Sequence, residues 1–100
     1  MDVYLSPLAE KKLEELLNYL QDRWSLRVRD KFLNKILASI SQIRSYPESC
    51  QVISDFPNVR KCVVSKEASF YYRIHANEIE IITVIDNRQD PNRIFEDSDF

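Results

Sequence analysis

The chain has 100 residues, of which 44% are hydrophobic and 30% are charged, and its formal net charge at pH 7 is −2. A chain of this length can bury one small core, so we expect a single domain over residues 1–100, and no apolar run is long enough to span a membrane. The negative charge argues against a general nucleic-acid-binding protein, and the absence of a secretory signal after Met1 favours a cytoplasmic location.

The first twenty-five residues predict a strand followed by a helix. The segment DVYLS, residues 2–6, alternates apolar and polar side chains, which is typical of a short strand. Ser6 can cap a helix, and Pro7 suits its first position because the missing N–H would have no partner there. Leucines then recur at helical spacing, so we expect an amphipathic helix over residues 7–23.

A second helix is predicted directly after the first. Ser25 is its candidate N-cap, and apolar residues recur every three or four positions until Tyr46 and Pro47 stop the pattern. The link between the two helices is so short that they should form a helical hairpin. The next segment, PESCQVISDFPN at 47–58, has two prolines and no clear period, which predicts a loop.

Three further strands are predicted at 59–65, 69–75 and 78–86, with Ala76 and Asn77 turning the chain between the last two. The last strand loses its alternation of polar and apolar residues, which suggests an internal strand covered on both faces or nearly so. The order of strand, two helices and three strands predicts an α+β fold of two layers, with the helices on one face of the sheet.

Few residues could carry chemistry. The chain has no glycine and hence no glycine-rich phosphate loop, and with one histidine it presents no recognisable metal or cofactor site. His75 could act as a general acid or base, but a lone histidine at a strand end is more often a surface residue. Cys50 and Cys62 lie far apart without a metal-binding spacing, so we expect free thiols rather than a disulfide.

The strand SFYYRIH separates its side chains between two faces of the sheet. One face carries Phe70, Tyr72 and Ile74, and the other carries Tyr71, Arg73 and His75. If the first set packs under the helices, the second set is open, where Arg60 or Lys61 and also Arg88 could join it. A basic and aromatic surface of this kind suits RNA or an acidic protein, although ordinary cross-strand pairing with Glu78 and Glu80 would also explain it.

Four segments, VYLSPLAEKKLEELLNYL, FPNVRKCVV, FYYRI and IITVIDNRQDP, resemble in their order and spacing the RelE/ParE toxin superfamily. Within it they are most similar to the ParE-like branch of plasmid stabilization toxins, from about residue 3 to residue 94. The tyrosine-rich strand and the later Arg-x-Asp-Pro tail are the most specific parts. The resemblance implies an N-terminal strand, a helical hairpin and a three-stranded antiparallel sheet, in the order β-α-α-β-β-β.

The resemblance also implies a function. The chain would be the toxin of a bacterial type II toxin–antitoxin system, inhibiting growth until a cognate antitoxin with a disordered segment binds and neutralises it. ParE-type members inhibit DNA gyrase, whereas RelE-type members are ribosome-dependent endoribonucleases that cut mRNA. A degenerate member that only binds its antitoxin is a third possibility.

The residues favour the ParE-type function over the ribonuclease. By position, Lys61 and Arg88 could match two ribonuclease residues and are weak catalytic candidates. Ser69 and Ile94, however, stand where an arginine and a tyrosine are expected. Ser69 carries no charge that could stabilise the transition state, and Ile94 cannot exchange a proton. We therefore expect a protein that binds its target without catalysis, with gyrase favoured over RNA or the ribosome.

The segment NRQDP at 87–91 resembles the GRRDP ending of ParE-type chains and predicts a site at the end of the last strand. There, a proline would prevent further strand pairing. The residues expected to bind the antitoxin or the target are Arg60, Lys61, Tyr71, Arg73, Arg88 and Asp90.

Overall fold

A computed structural model of the protein describes residues 1–87. The elements in chain order are β1 (Asp2–Leu5), α1 (Pro7–Arg23), α2 (Leu26–Ser45), β2 (Gln51–Ile53), β3 (Phe56–Val63), β4 (Ala68–His75) and β5 (Glu78–Asp86). Within this part of the chain, the strands form one sheet in the order β1-β5-β4-β3-β2. Strand β1 runs parallel to β5 and the other neighbours are antiparallel. The predicted α+β fold is confirmed.

The sheet has five strands where the resemblance implied three in one antiparallel group. The N-terminal strand adds a fourth by pairing with β5, and β2 adds a fifth. The predicted loop at 47–58 is therefore wrong from Gln51 onward, where β2 and β3 form a hairpin. Pro57 is tolerated in β3 because the pairing of β3 with β4 begins only at Arg60, so its missing N–H removes no bond to β4.

Helix α1 begins and ends where the sequence predicts. The Ser6 side chain accepts a hydrogen bond from the Ala9 N–H at 3.0 Å, which satisfies one of the unpaired donors of the first turn. The same hydroxyl donates to the Ile82 carbonyl at 2.6 Å, and the Ser6 N–H donates to the Ile81 carbonyl at 3.0 Å. One serine thus caps the helix and attaches it to strand β5.

Helix α2 is also as predicted. The Ser25 side chain accepts from the Val28 N–H at 3.1 Å, and Tyr46 closes the last turn by donating from its N–H to the Gln42 carbonyl. Pro47 follows, and it cannot continue the helix. No helix in the part of the chain described here is both long and apolar enough to cross a membrane.

The core lies between the helical hairpin and one face of the sheet. Its buried members are Ala9, Leu16, Leu20, Phe32, Ile36, Ile43, Cys62, Ala68, Phe70, Tyr72, Ile79, Ile81 and Val84. The buried residues of each helix are four or seven positions apart, and those of strand β4 are every second residue. This is the packing that the helical and strand periodicities predict.

Strand β5 is internal, as predicted, but its lost alternation has a different cause. Tyr72 pairs with Ile81 and Tyr71 pairs with Thr83, so Ile82 is an extra residue in the β5 strand. Such a bulge changes which residues of the strand face each side of the sheet. Ile81 and Val84 are consequently both buried under the helices although they are three residues apart.

Two turns show how a chain without glycine closes its hairpins. Ala76 and Asn77 have φ values of 49° and 66°, in the left-handed region where a glycine is usually preferred. The predicted turn at these residues is confirmed. Asn87 donates from its side-chain amide to the Lys66 carbonyl at 3.2 Å and from its N–H to the Glu67 carbonyl, and so supports the turn between β3 and β4.

The double role of Ser6 can be measured against a matched serine. Replacing Ser25→Ala removes a helix cap and should lower the free energy of unfolding by about 1 kcal/mol. Replacing Ser6→Ala removes a cap and also the donor to a part-buried carbonyl, so the loss should be larger, about 2–3 kcal/mol. Urea denaturation of both variants measures the difference, and equal losses would show that the bond to β5 adds no stability.

Candidate functional site

The face of the sheet that points away from the helices carries the aromatic and basic side chains predicted for it. Lys61 lies opposite Tyr71, and Tyr71 lies opposite Thr83, so the three share this open face. Phe70 and Tyr72, their neighbours in β4, are buried on the helix side. The predicted division of the strand SFYYRIH between two faces is confirmed.

A hollow of about 490 Å³ lies on this open face, and we call it the open-face hollow. Its lining residues are Ile53, Ser54, Asp55, Phe56, Val59, Lys61, Tyr71 and Ile82. Two features outside the predicted site build it. The β2–β3 hairpin brings Phe56, which is 61% exposed, and the bulge in β5 brings Ile82.

The lining of the open-face hollow suits binding. Apolar side chains form most of its surface, while the Lys61 ammonium and the Tyr71 hydroxyl are polar groups that can fix an occupant's orientation.

Ser69 lies on the same face but is only 1% exposed, between Val63 and Ile85. Among residues 1–87, no three acidic, cysteine or histidine side chains gather in a way that could hold a metal ion.

Arg73 lies on the open face next to this hollow. Its Nε donates to the Glu80 Oε1 at 2.7 Å, and the two residues are direct cross-strand partners. Half of the Arg73 side chain remains exposed, so the pair contributes little stability and the guanidinium keeps donors for a further partner. His75 is exposed opposite Glu78, at the end of the strand.

Arg60 lies on the other face of the sheet from Lys61, since it pairs with the buried Tyr72. Its Nη1 donates to the Cys50 carbonyl at 2.7 Å and to the Glu48 carbonyl at 3.2 Å. The Tyr72 hydroxyl donates to the Pro47 carbonyl at 2.7 Å. These bonds hold the segment between α2 and β2, so of the two basic residues left open by the sequence, Lys61 belongs to the open face and Arg60 does not.

A second concave surface lies at the end of α2, and we call it the loop cleft. It has a volume of about 680 Å³, and its lining residues are Met1, Ser45, Tyr46, Pro47, Glu48, Ser49 and Ile74. Tyr46 is 70% exposed and Ile74 is also exposed. This cleft was not predicted from the sequence, although a tyrosine directly after the predicted end of a helix can be seen there.

The predicted site residues Arg88 and Asp90, and also Ile94, lie outside the residues that the structure describes.

Cys62 and Tyr72 are buried ionisable groups beside the segment between α2 and β2. Cys50 and Cys62 are free thiols, as predicted. Burial, together with the neighbouring Cys50 thiol, raises the pKa of the Cys62 thiol to about 12, while the Ser39 hydroxyl opposes the shift. Burial, followed by the Cys50 thiol, also raises the pKa of the Tyr72 phenol.

The raised pKa of the Cys62 thiol predicts a loss of stability at high pH. In the unfolded chain the Cys62 thiol ionises from about pH 9, whereas in the folded protein it stays protonated up to about pH 12. The free energy of unfolding is therefore at its full value below about pH 9 and decreases above it. Between pH 8 and pH 10, the free energy of unfolding under reducing conditions should fall about 1 kcal/mol more in the native sequence than in Cys62→Ala. Urea denaturation at the two pH values provides the comparison, and parallel pH profiles would contradict it.

Comparisons with known proteins agree with this fold. The family model for the ParE toxin of the type II toxin–antitoxin system parDE matches residues 3–91. Toxin ParE1 of Mycobacterium tuberculosis is 26% identical over 90 residues, which cover 89% of this chain and 92% of that protein.

Two solved structures share the fold at 16% sequence identity. One, a chromosomal ParDE toxin–antitoxin system from P. aeruginosa, has a TM-score of 0.74 and matches 86% of this chain and 95% of its own. The other, a YoeB/ParE toxin from Agrobacterium tumefaciens, has a TM-score of 0.64 and matches 86% of this chain and 98% of its own. Since the family model spans most of the sequence, the chain belongs to the ParE toxin family of type II toxin–antitoxin systems.

Proposed function

We propose that this ParE-family toxin inhibits DNA gyrase in the bacterial cytoplasm and is neutralised by a cognate antitoxin. The observation that carries the proposal is the character of the open face. It presents a largely apolar hollow with Lys61 and Tyr71, which is suited to holding a protein surface. Membership of the ParE family supports a toxin that has an antitoxin partner. Gyrase as the target of the toxin is our further inference.

The surroundings of Ser69 favour binding over RNA cleavage. Cleavage of an RNA phosphodiester requires cations and proton donors arranged around the phosphate that reacts. Ser69, which stands where the ribonuclease members would have an arginine, carries no charge and is almost fully buried. Arg73 is engaged by Glu80. Lys61 and Arg88 are therefore proposed as binding residues, together with Tyr71 and Asp90.

Expression without an antitoxin tests the target. Induction should slow growth and activate the DNA-damage response, because a gyrase inhibitor leaves broken or tangled DNA. Purified protein should also inhibit supercoiling by gyrase. Cleavage of mRNA at ribosomal A sites without a DNA-damage signal would establish the ribonuclease function instead, and normal growth would indicate a degenerate toxin that only binds its antitoxin.

Matched lysine variants test the surface. Lys61→Ala should weaken gyrase inhibition about tenfold or more, since it removes the ammonium from the open-face hollow. Lys31→Ala makes the same chemical change at an exposed position of α2 and should leave inhibition unchanged. Equal inhibition by both variants, with both still folded by circular dichroism, would place the gyrase-binding surface elsewhere.

For the antitoxin, we propose that its segment lies along the groove between the helical hairpin and the sheet and enters the loop cleft. Tyr46 and Ile74 offer exposed apolar surface there. Acidic antitoxin side chains would meet Arg60, on this side of the sheet, and Arg88. Arg73, which the sequence also predicted as an antitoxin contact, lies on the open face and is not part of this docking surface. A segment that folds on binding spends part of its contact energy on ordering, so a few buried anchors must contribute most of the affinity.

Tyrosine variants test this docking. With the cognate antitoxin as the titrated partner, Tyr46→Ala should weaken binding by about 1–3 kcal/mol, because it removes an aromatic anchor from the loop cleft. Tyr4→Ala, at an exposed position of β1 on the open face, is the matched control and should change binding by less than about 0.5 kcal/mol. Arg88→Ala should also weaken the complex by roughly 1–3 kcal/mol if its guanidinium is paired. Calorimetry that finds binding unchanged in both Tyr46→Ala and Arg88→Ala would exclude this docking surface.

A further inference from the structure

The two cysteines of the chain lie next to each other in the folded protein, although twelve positions separate them in sequence. Gln51 pairs with Lys61, and Val52 pairs with Arg60. One further step of the same antiparallel register places Cys50 opposite Cys62. The Cys50 side chain is within hydrogen-bonding reach of the Cys62 thiol, and both side chains pack against the core.

This placement satisfies the geometry of a disulfide. Directly opposed residues of antiparallel strands have Cα atoms about 4.5–5.5 Å apart, which is inside the range of about 4.4–6.8 Å found for disulfides. Opposed side chains also leave the sheet on the same face, so the two sulfur atoms approach each other.

The backbone around Cys50 is already held in position. Arg60 donates to the Cys50 carbonyl at 2.7 Å, and Tyr72 donates to the Pro47 carbonyl at 2.7 Å. These bonds attach the segment to the sheet without any covalent link. A disulfide could therefore form with little movement of the chain, which is the condition under which a cross-link stabilises rather than strains a protein.

We propose that Cys50 and Cys62 form a thiol–disulfide switch, oxidised by a low-molecular-weight disulfide such as oxidised glutathione to an intramolecular bond that fixes the α2–β2 segment to the sheet. The reaction has two exchange steps. In the first, the Cys50 thiolate attacks one sulfur of oxidised glutathione, and one glutathione thiolate leaves and takes up a proton. In the second, the Cys62 thiolate attacks the Cys50 sulfur and releases the second glutathione. Two protein thiols are oxidised, and one small disulfide is reduced to two thiols.

The order of the steps follows from exposure. Cys50 is half-buried and can meet a small disulfide, whereas Cys62 is only 4% exposed. The raised pKa of Cys62 keeps its thiolate scarce at neutral pH, so the second step should be slow there and faster at higher pH. Neither cysteine lines the open-face hollow, so the disulfide would leave that surface uncovered.

Treatment of the full chain with oxidised glutathione tests the proposal. We expect both free thiols to disappear, a non-reducing peptide map to join the Cys50 and Cys62 peptides, and the melting temperature to rise by roughly 5–15 °C. Dithiothreitol should reverse all three changes. The reaction should also be several-fold faster at about pH 8.5 than at about pH 7.

Two serine variants make the result decisive. Cys62→Ser should stop at a stable glutathione adduct on Cys50, and Cys50→Ser should leave Cys62 unmodified while the protein is folded. A persistent glutathione adduct on the native sequence, covalent dimers joined through Cys50, or two thiols that remain free at about pH 8.5 would each overturn the proposal.

Discussion

The position of α1 on the sheet depends on the Ser6 hydroxyl, which joins this first helix to the internal strand β5. It accepts from the first turn of α1 and donates to the Ile82 carbonyl at the bulge of β5. The backbone bulges there, so a carbonyl is displaced from regular pairing and needs another donor. Because β5 is paired on both sides, by β1 and by β4, the bonds from Ser6 and the apolar packing of α1 together set the position of the helix relative to the sheet.

The same bulge connects the fold to the site. It allows Ile81 and Val84 to remain in the core, and it places Ile82 beside Tyr71 on the open face. The two faces then have separate tasks. On the helix side, Arg60 and Tyr72 hold the α2–β2 segment through backbone carbonyls. On the open side, basic and aromatic groups remain available to a partner. Because side chains alternate along β3, Lys61 lies on the open face and Arg60 on the helix side.

The helices were predictable to the residue because each has a serine cap, an apolar stripe and a clear end. Strand β5 and its turn were also predictable from local signals, a run of β-branched residues and a turn residue, although the alternation of β5 is broken. Strand β2 was missed because three residues between turns carry too little periodicity, and its pairing depends on β3. The site was predicted in part: Tyr71 and Arg73 were placed on the correct face, but the choice between Arg60 and Lys61 required the register. The hollow itself arises from the hairpin and the bulge, which are tertiary features that no local pattern contains.

The pairing of the first strand with β5 delays folding during synthesis. Asp2 pairs with Glu78, so the N-terminal strand emerges from the ribosome long before its partner has been translated. Long-range pairings of this kind form late, because a long loop must close first. The bond from Ser6 of α1 to the Ile82 carbonyl, and the part of the open-face hollow lined by Ile82, cannot form before β5 has been translated. The open-face hollow and the attachment of α1 are therefore incomplete until β5, close to the end of the described chain, has been translated.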